Sequence, residues 1–438
     1  MIMRERFFKL KWSFYKPQVS AAFDCLMRSQ FISEDEREHQ NEVARQKLVR
    51  HAYENTLFYR DFYGREGFEV GDIGKSGWFE KLPVLTKSYI RTEFERMFDP
   101  CQRKFAAFSM TGGSTGVPTR TGHDKRLPIE AWSWRFLNWY GVQPWDDHAY
   151  VWRRRKVSVA SDLFNAALWW PTRHLKLDAT LMDENDIVNF LNHFNRLKPK
   201  LLQGYVGAIT QLAQFVIDKR WKVHYPHCVW TTSAPLSMVQ RSIISKAFGA
   251  PILDQYGSCE VDSIAQSCPQ CKGLHVNSEL VYLEYVDESG CPLAIGDYGR
   301  ALLTNLQDTV FPIIRYENGD RGRYLDGKCA CGRTLPIIDA VKGRESESFI
   351  LPSGKVLNGE YLTTIFDSHP EIVDAFRVVQ HKDLSIDVRY VPHNSDADVT
   401  CCVQSLIDRV SGEVPVRVCP VDRIENDKGK IRFIVRET

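Results

Sequence analysis

The chain has 438 residues, 43% of them hydrophobic, which is enough for two or three domains and a sizeable core. Its formal net charge is only +2, so no global field calls for nucleic acid or an anionic membrane. No apolar run approaches the roughly 18 residues of a membrane span, and the charged start Met1–Trp12 is a poor signal-peptide core.

Residues 1–32 mix basic and aromatic side chains. They are expected to form a packed N-terminal arm in preference to a membrane-surface helix. Ser33 followed by Glu36 fits a capping box for a helix from Glu34 to about Asn55, with Val43, Leu48, His51 and Ala52 near one face. Residues 78–98 read as a helix–turn–helix connector broken at Pro83. Then comes Thr111-Gly-Gly-Ser-Thr-Gly-Val-Pro-Thr119. Gly112, Gly113 and Gly116 can take positive φ and bring backbone N–H groups close to an anion. Ser114, Thr115 and Thr119 add hydroxyl donors. No Gly-Lys-Ser/Thr follows, so this is not the common nucleotide loop.

From Leu127 to Tyr140 an aromatic stripe at helical spacing (Trp132, Trp134, Phe136, Trp139, Tyr140) reads mainly as core. Residues 146–159 read as loop then strand. They carry the densest basic run, Arg153–Lys156, whose plain reading is a solvated face and whose sharper one is contact with a phosphate-bearing cosubstrate. Beyond it, helices at 183–195, 208–219 and 239–248 alternate with short strands at 200–206, 229–233 and 251–257. That alternation argues for an α/β domain, in which ligands gather beyond the carboxyl ends of the strands. Gly204-Tyr205, Ser233-Ala234-Pro235 and Tyr256-Gly257-Ser-Cys-Glu260 fall at such ends. Strand-like runs at 279–286, 300–306 and 311–316 suggest a β-rich subdomain. Strands at 376–380, 384–390 and 416–420 with a helix at 399–410 suggest a small α+β terminal domain.

The glycine loop, Tyr256-Gly-Ser-Cys-Glu260, Tyr316-Glu-Asn-Gly-Asp320, Gly343-Arg344 and a late Gly429-Lys430 occur in a fixed order. In that order the chain resembles adenylate-forming enzymes of the phenylacetate–CoA ligase type, including relatives encoded with capsule-synthesis genes. His51–Tyr59 and Lys81–Lys87 also resemble that group, so the likeness spans nearly the whole chain. It implies an α/β fold: a large N-terminal adenylation domain with α/β layers and a β-rich subdomain over 1–343, then a mobile C-terminal domain over 344–438.

The resemblance also implies roles. ATP would lie with its β/γ-phosphates on Thr111–Gly116 and Thr119. Glu260 would hold Mg²⁺, and Asp320 would accept hydrogen bonds from both ribose hydroxyls. Ser233, Ala234, Pro235, Asp254, Gln255, Tyr256 and Gly257 would flank the adenine. Arg344 would reach ribose or phosphate, and Lys430, with Lys428 as competitor, would neutralise the α-phosphate. Tyr140 and Tyr205 are candidates for the acid's pocket. The family's hinge usually carries an aspartate where this chain has Ser346. Pivoting of the terminal domain is therefore less secure than adenylation.

Twelve cysteines without a secretion signal point to a reducing cytoplasm, where close pairs serve as metal ligands more often than as disulfides. Cys268, Cys271, Cys329 and Cys331 form two short knuckles suited to a structural Cys₄ zinc site, with His275 able to replace one thiolate. Cys401 and Cys402 read as ordinary packing. The expected function is ATP-dependent activation of a carboxylic acid, aromatic or small organic, to an acyl-adenylate, followed by transfer to the CoA thiol. Two alternatives stay open: an amide synthetase that uses an amine or amino acid as acceptor, and a non-catalytic nucleotide-binding scaffold. A homodimer is also left open.

Overall fold

The computed structural model describes residues 2–110, 119–152, 159–179, 182–339, 349–353, 356–357, 362, 365–366, 372–394, 398–410, 412–424 and 434–437. They form two compact units: Met1–Tyr15, Leu137–Asp254 and Val341–Thr438 in the first, Lys16–Phe136 and Gln255–Ala340 in the second. The elements are mixed α/β, as expected. No helix among the described residues is long and apolar enough to cross a membrane.

In the second unit, helices α2 (Pro17–Ser29), α3 (Glu34–Asn55), α4 (Leu57–Arg65) and α5 (Lys87–Thr92) precede a hairpin of β1 (Ala106–Met110) and β2 (Arg120–Asp124). The Ser33 hydroxyl accepts the Glu36 N–H at 3.2 Å and opens α3 where the sequence put it. Leu48 and Ala52 of α3 are buried, whereas Val43 is exposed and leaves the expected face. The connector at 78–98 holds only the six-residue α5 and a 3₁₀ turn. Its first half is turn, because Pro83 cannot donate a helical N–H and Arg315 Nη1 instead binds the Glu80 and Leu82 carbonyls at 2.7 Å. The aromatic helix α6 is Ile129–Trp139, with Trp132, Trp134 and Phe136 buried.

The same unit carries an antiparallel sheet, β10 (Val281–Val286), β11 (Gly299–Asn305) and β12 (Tyr316–Gly322). A second run links β8 (Ala265–Gln266), β9 (Leu274–Val276), β14 (Ile337–Ile338) and β13 (Tyr324–Leu325). The strand expected at 311–316 instead begins at Tyr316. Pro312 has no N–H for a ladder, and Arg315 sits at φ 47°, which no strand residue adopts.

In the first unit α1 (Ile2–Tyr15) packs Phe8 against Trp145 and Trp169, and Trp12 against Trp169. This is the packed arm read from sequence. A parallel sheet runs in the order β7 (Ile252–Tyr256), β6 (Cys228–Thr232), β5 (Leu201–Tyr205), β3 (His148–Trp152), β4 (His174–Asp178). α8 (Glu184–Leu197), α9 (Val206–Asp218) and α10 (Met238–Phe248) alternate with these strands, bearing out the α/β reading. β3 lies within the loop-then-strand stretch expected at 146–159, and α7 (Val159–Trp169) follows in a stretch for which the sequence carried no expectation.

The later part of this unit pairs β15 (Phe349–Ile350) with β16 (Val356–Leu357) and builds a sheet β19 (Val416–Pro420), β18 (Ile386–Pro392), β17 (Val373–Gln380), β20 (Ile434–Arg436) beside α11 (Thr400–Val410). One apolar cluster contains Phe190, Ile209, Ile244 and Phe248 together with Phe349, Phe376, Val388 and Leu406. Cys402 is part of it, as ordinary packing predicts.

Candidate active site

Two carboxylates expected to act together are held in one unit by one strand and one turn. β12 carries Tyr316 at its start and Asp320 four residues on. Its ladder with β11 is interrupted: Leu302 faces Glu317 while Arg300 faces Arg321, so Asn318–Asp320 bulge out. Gly319 lies at φ 84°, a conformation glycine takes without a Cβ clash, and a bulge of this kind re-aims the side chain beside it. Asp320 is buried and accepts the Tyr256 hydroxyl at 2.9 Å and the Asn318 amide at 2.5 Å. Glu260, four residues after Tyr256, is buried and accepts the Tyr316 hydroxyl on Oε1 at 2.8 Å. Each acid is thus bonded by the tyrosine that precedes the other. Burial and the neighbouring Asp320 charge push the Tyr256 phenol well above its usual range, so it stays a donor.

The turn that carries Glu260 is closed by Ser258, whose hydroxyl accepts the Glu260 and Val261 N–H groups at 3.2 and 3.0 Å. Gly257 is exposed, and a Cβ there would come within 3.2 Å of the Ser263 nitrogen. Gln255 donates weakly to the Ser263 hydroxyl at 3.5 Å. His123 of β2 hydrogen-bonds the Cys259 backbone and feels the Asp262 and Glu260 charges. Burial nevertheless holds its imidazole below the usual value, and burial raises the Asp262 carboxyl against the pull of His123. Of the glycine loop only Thr119 is described: it is fully buried and accepts from Arg91 Nε at 2.8 Å. Residues 111–118, Arg153–Lys156, Arg344, Ser346, Lys428 and Lys430 lie outside the described residues.

In the first unit the strand ends hold the remaining candidates. Ser233 follows β6 at φ 74° and is exposed, with Ala234 and Pro235 half-buried behind it. Asp254 is buried and accepts from Arg241 of α10 at 3.4 Å. Tyr205 ends β5 and stacks on Trp152, which ends β3, with ring centroids 4.3 Å apart. Between them, a Cβ on Gly204 would lie 2.6 Å from the Val151 carbonyl oxygen, so only glycine lets these strands approach this closely. Tyr140 is buried and spends its hydroxyl on the Ile252 carbonyl at 3.3 Å, a packing role.

The cysteine knuckles converge in the second unit. One ligand atom from each of Cys268, His275, Cys329 and Cys331 falls within 4.8 Å of every other. A zinc ion bound at ordinary lengths in a tetrahedron sets sulfurs about 3.8 Å apart and sulfur and nitrogen about 3.6 Å apart. Cys268 Sγ and Cys329 Sγ are 3.7 Å apart, and Cys331 Sγ and His275 Nε2 are 3.5 Å apart. The other ring nitrogen of His275 faces the Leu335 carbonyl at 3.4 Å, which leaves Nε2 for the cluster. The N–H groups of Gly273 and Cys331 each reach a cysteine sulfur at 3.4 Å. Cys271 stands beside Cys268 and Cys329, so five donors are available for four positions.

No family model matches the chain. Over 317 residues it is 25% identical to the phenylacetate-coenzyme A ligase of Escherichia coli K12, covering 69% of this chain and 70% of that protein. It is 23% identical over 274 residues to the protein CapK of Staphylococcus aureus, covering 61% and 58%. Its fold superposes on a 2-hydroxyisobutyryl-CoA ligase in the postadenylation state with a TM-score of 0.74 at 19% identity, covering 94% of this chain and 91% of that one. Its relatives include phenylacetate-coenzyme A ligases, and its structural neighbours include acyl-CoA ligases holding an adenylate. This bears out the resemblance read from the ordered motifs. The amide bond synthetase McbA of Marinactinospora thermotolerans shares the fold more distantly, with a TM-score of 0.52 at 18% identity over 74% of this chain and 66% of that one.

Sequence reasoning missed Tyr316 and Asn318 as partners of the acids, and Trp152, His123 and Asp262. Tyr316 and Asn318 were in the motif already quoted. Their i, i+4 and i, i+2 spacing to Asp320 on a bulged strand is the signal that marks them.

Proposed function

We infer that the chain is an AMP-forming acid–thiol ligase. A carboxylate oxygen of the acid attacks the α-phosphorus of ATP, the bond to the bridging oxygen breaks, and pyrophosphate leaves. The CoA thiolate then attacks the acyl carbon and AMP departs. The observation that carries this reading is the paired holding of Glu260 and Asp320 by Tyr316 and Tyr256. Asp320, fixed by two donors and still an acceptor, suits the ribose hydroxyls. Glu260 Oε2 has no hydrogen-bond partner among the described residues and suits Mg²⁺, which would neutralise phosphate charge. Positioning and charge stabilisation are the main work such a site must do. Lys430 and Arg344 are proposed for the α-phosphate and the ribose, with residues 344–438 as the domain that delivers Lys430. Trp152 and Tyr205 supply an aromatic wall for the acid.

Zinc is proposed for the Cys268–His275–Cys329–Cys331 group, in a structural role, because a filled tetrahedron leaves no site for water. Twelve cysteines without a disulfide fit a reducing compartment such as the cytoplasm. The test is ATP–pyrophosphate exchange across a library of carboxylic acids, then product mass spectrometry with CoA or amines as acceptors. Exchange with some acid and thioester formation are expected. Exchange followed by amide formation alone would favour the synthetase reading, for which the likeness to McbA speaks. Absence of exchange with every acid would leave the scaffold reading.

A further inference from the structure

α1 carries apolar side chains on two faces. Phe8 and Trp12 point inward and are 1% exposed. Met3, Phe7, Leu10 and Phe14 recur at steps of four, three and four residues and share a different face. They are 85%, 44%, 58% and 81% exposed. The surface continues onto α7 and the residue after it. Phe7 meets Trp170 edge-on at 4.7 Å, and Tyr15 lies 6.0 Å from Phe164. Tyr15, Leu163, Phe164 and Trp170 are exposed as well. Single exposed apolar residues are ordinary, but a continuous patch of this kind marks a docking surface. It is also held in shape: Lys11 donates to the Ala167 carbonyl at 3.1 Å and to that of Trp170, and Arg4 binds Asp147 and the Pro171 carbonyl.

Charge selects the occupant. α1 holds Arg4, Arg6, Lys9 and Lys11; Glu5 pairs with Lys9 at 2.7 Å and Asp147 pairs with Arg4, so the face keeps a net positive charge through Arg6 and Lys11. At helical spacing Arg6 and Lys9, both exposed, border the apolar stripe on the side away from α7. A second copy of this helix would bring like charges together, whereas lipid phosphates complement them. Phe, Trp and Tyr also settle at the boundary between headgroups and acyl chains. We propose that the α1–α7 face seats the protein on an anionic bilayer surface, with α1 lying in the plane of the headgroups.

The test is co-sedimentation of the full chain with phosphatidylcholine vesicles containing or lacking phosphatidylglycerol, alongside light scattering for oligomeric state. The protein is expected to pellet with the anionic vesicles and to remain in solution with neutral ones. The triple variant Phe7→Ser, Leu10→Ser, Phe14→Ser should lose binding about tenfold or more. So should the charge-reversed Arg6→Glu, an exposed position that leaves the buried Phe8 and Trp12 in place and decides the matter if the triple variant misfolds. ATP–pyrophosphate exchange should be unchanged in both. Failure of the wild-type chain to bind anionic vesicles, or equal binding by wild type and the charge-reversed variant, would overturn the proposal. A wild-type dimer that the triple variant abolishes, with no vesicle binding, would assign the face to a second copy instead.

Discussion

Tyr316 donates its hydroxyl to Glu260 at 2.8 Å, and Tyr256, four residues before Glu260, donates to Asp320 at 2.9 Å, four residues after Tyr316. The two acids are therefore cross-braced. Tyr316→Phe removes the donor to a buried carboxylate, which costs about 1–3 kcal/mol in stability. Because Glu260 is then less firmly aimed, acid-dependent ATP–pyrophosphate exchange should fall about tenfold, and more Mg²⁺ should be needed to reach half-maximal rate. Thermal melts and a Mg²⁺ titration of exchange check both parts. A variant with unaltered Mg²⁺ dependence would detach Tyr316 from the site.

Asp320→Ala should act on the sugar. Hydrogen bonds to a charged acceptor contribute about 1.5–3 kcal/mol, a factor of about 10 to 100 in KM for ATP. Wild-type enzyme should discriminate against 2′-deoxyATP and 3′-deoxyATP, and the variant should lose that discrimination. Equal use of ATP and its deoxy forms by the wild type would remove the assigned role.

Purified protein should contain one zinc per chain by elemental analysis. Stripping it with a strong chelator should lower the melting temperature by about 5 °C or more, since a ligand bound only to the folded state stabilises that state. His275→Ala and Cys331→Ala should lose the metal. Cys271→Ser should keep it if His275 is the fourth ligand, and loss of metal in Cys271→Ser with retention in His275→Ala would reverse that assignment.

Two stacked histidines predict acid sensitivity in the first unit. The His148 and His174 rings lie 5.7 Å apart at 6°, and neither Nε2 has a hydrogen-bond partner among the described residues. Burial depresses their values from 6.5 to about 4 and about 3. Above 6.5 both rings are neutral in folded and unfolded chains, and their contribution is fully present. As pH falls from 6.5 toward 4, the unfolded chain takes up protons that the fold refuses. Stability then drops by about 1.4 kcal/mol per pH unit for each ring. Urea melts between pH 7.5 and 4.5 should show this slope, and His174→Gln should shrink it by about half.

Much of the fold was legible because periodicity and caps are local. Ser33 opened α3, and the apolar runs of β5, β6 and β7 stood out between amphipathic helices. The failures are where long-range contacts override local preference. Pro312 and the left-handed Arg315 push β12 to begin at Tyr316. At the site, motif order pointed to Glu260, Asp320 and Tyr256 but not to the bracing of the acids by Tyr256 and Tyr316, because that bracing joins residues 56 and 64 positions apart in the chain. His275 was visible as a substitute ligand, yet only the closed fold brings its Nε2 to Cys331.

Gly204 leaves little freedom to move main chain between β3 and β5. With the Val151 oxygen already 2.6 Å from where a methyl group would stand, β3 and β5 cannot trade spacing without breaking their ladder. If Trp152 and Tyr205 wall the acid as proposed, new preferences would have to arise by exchanging those rings, with the gap between the two strands as a fixed gauge and the aromatic pair as its replaceable jaws.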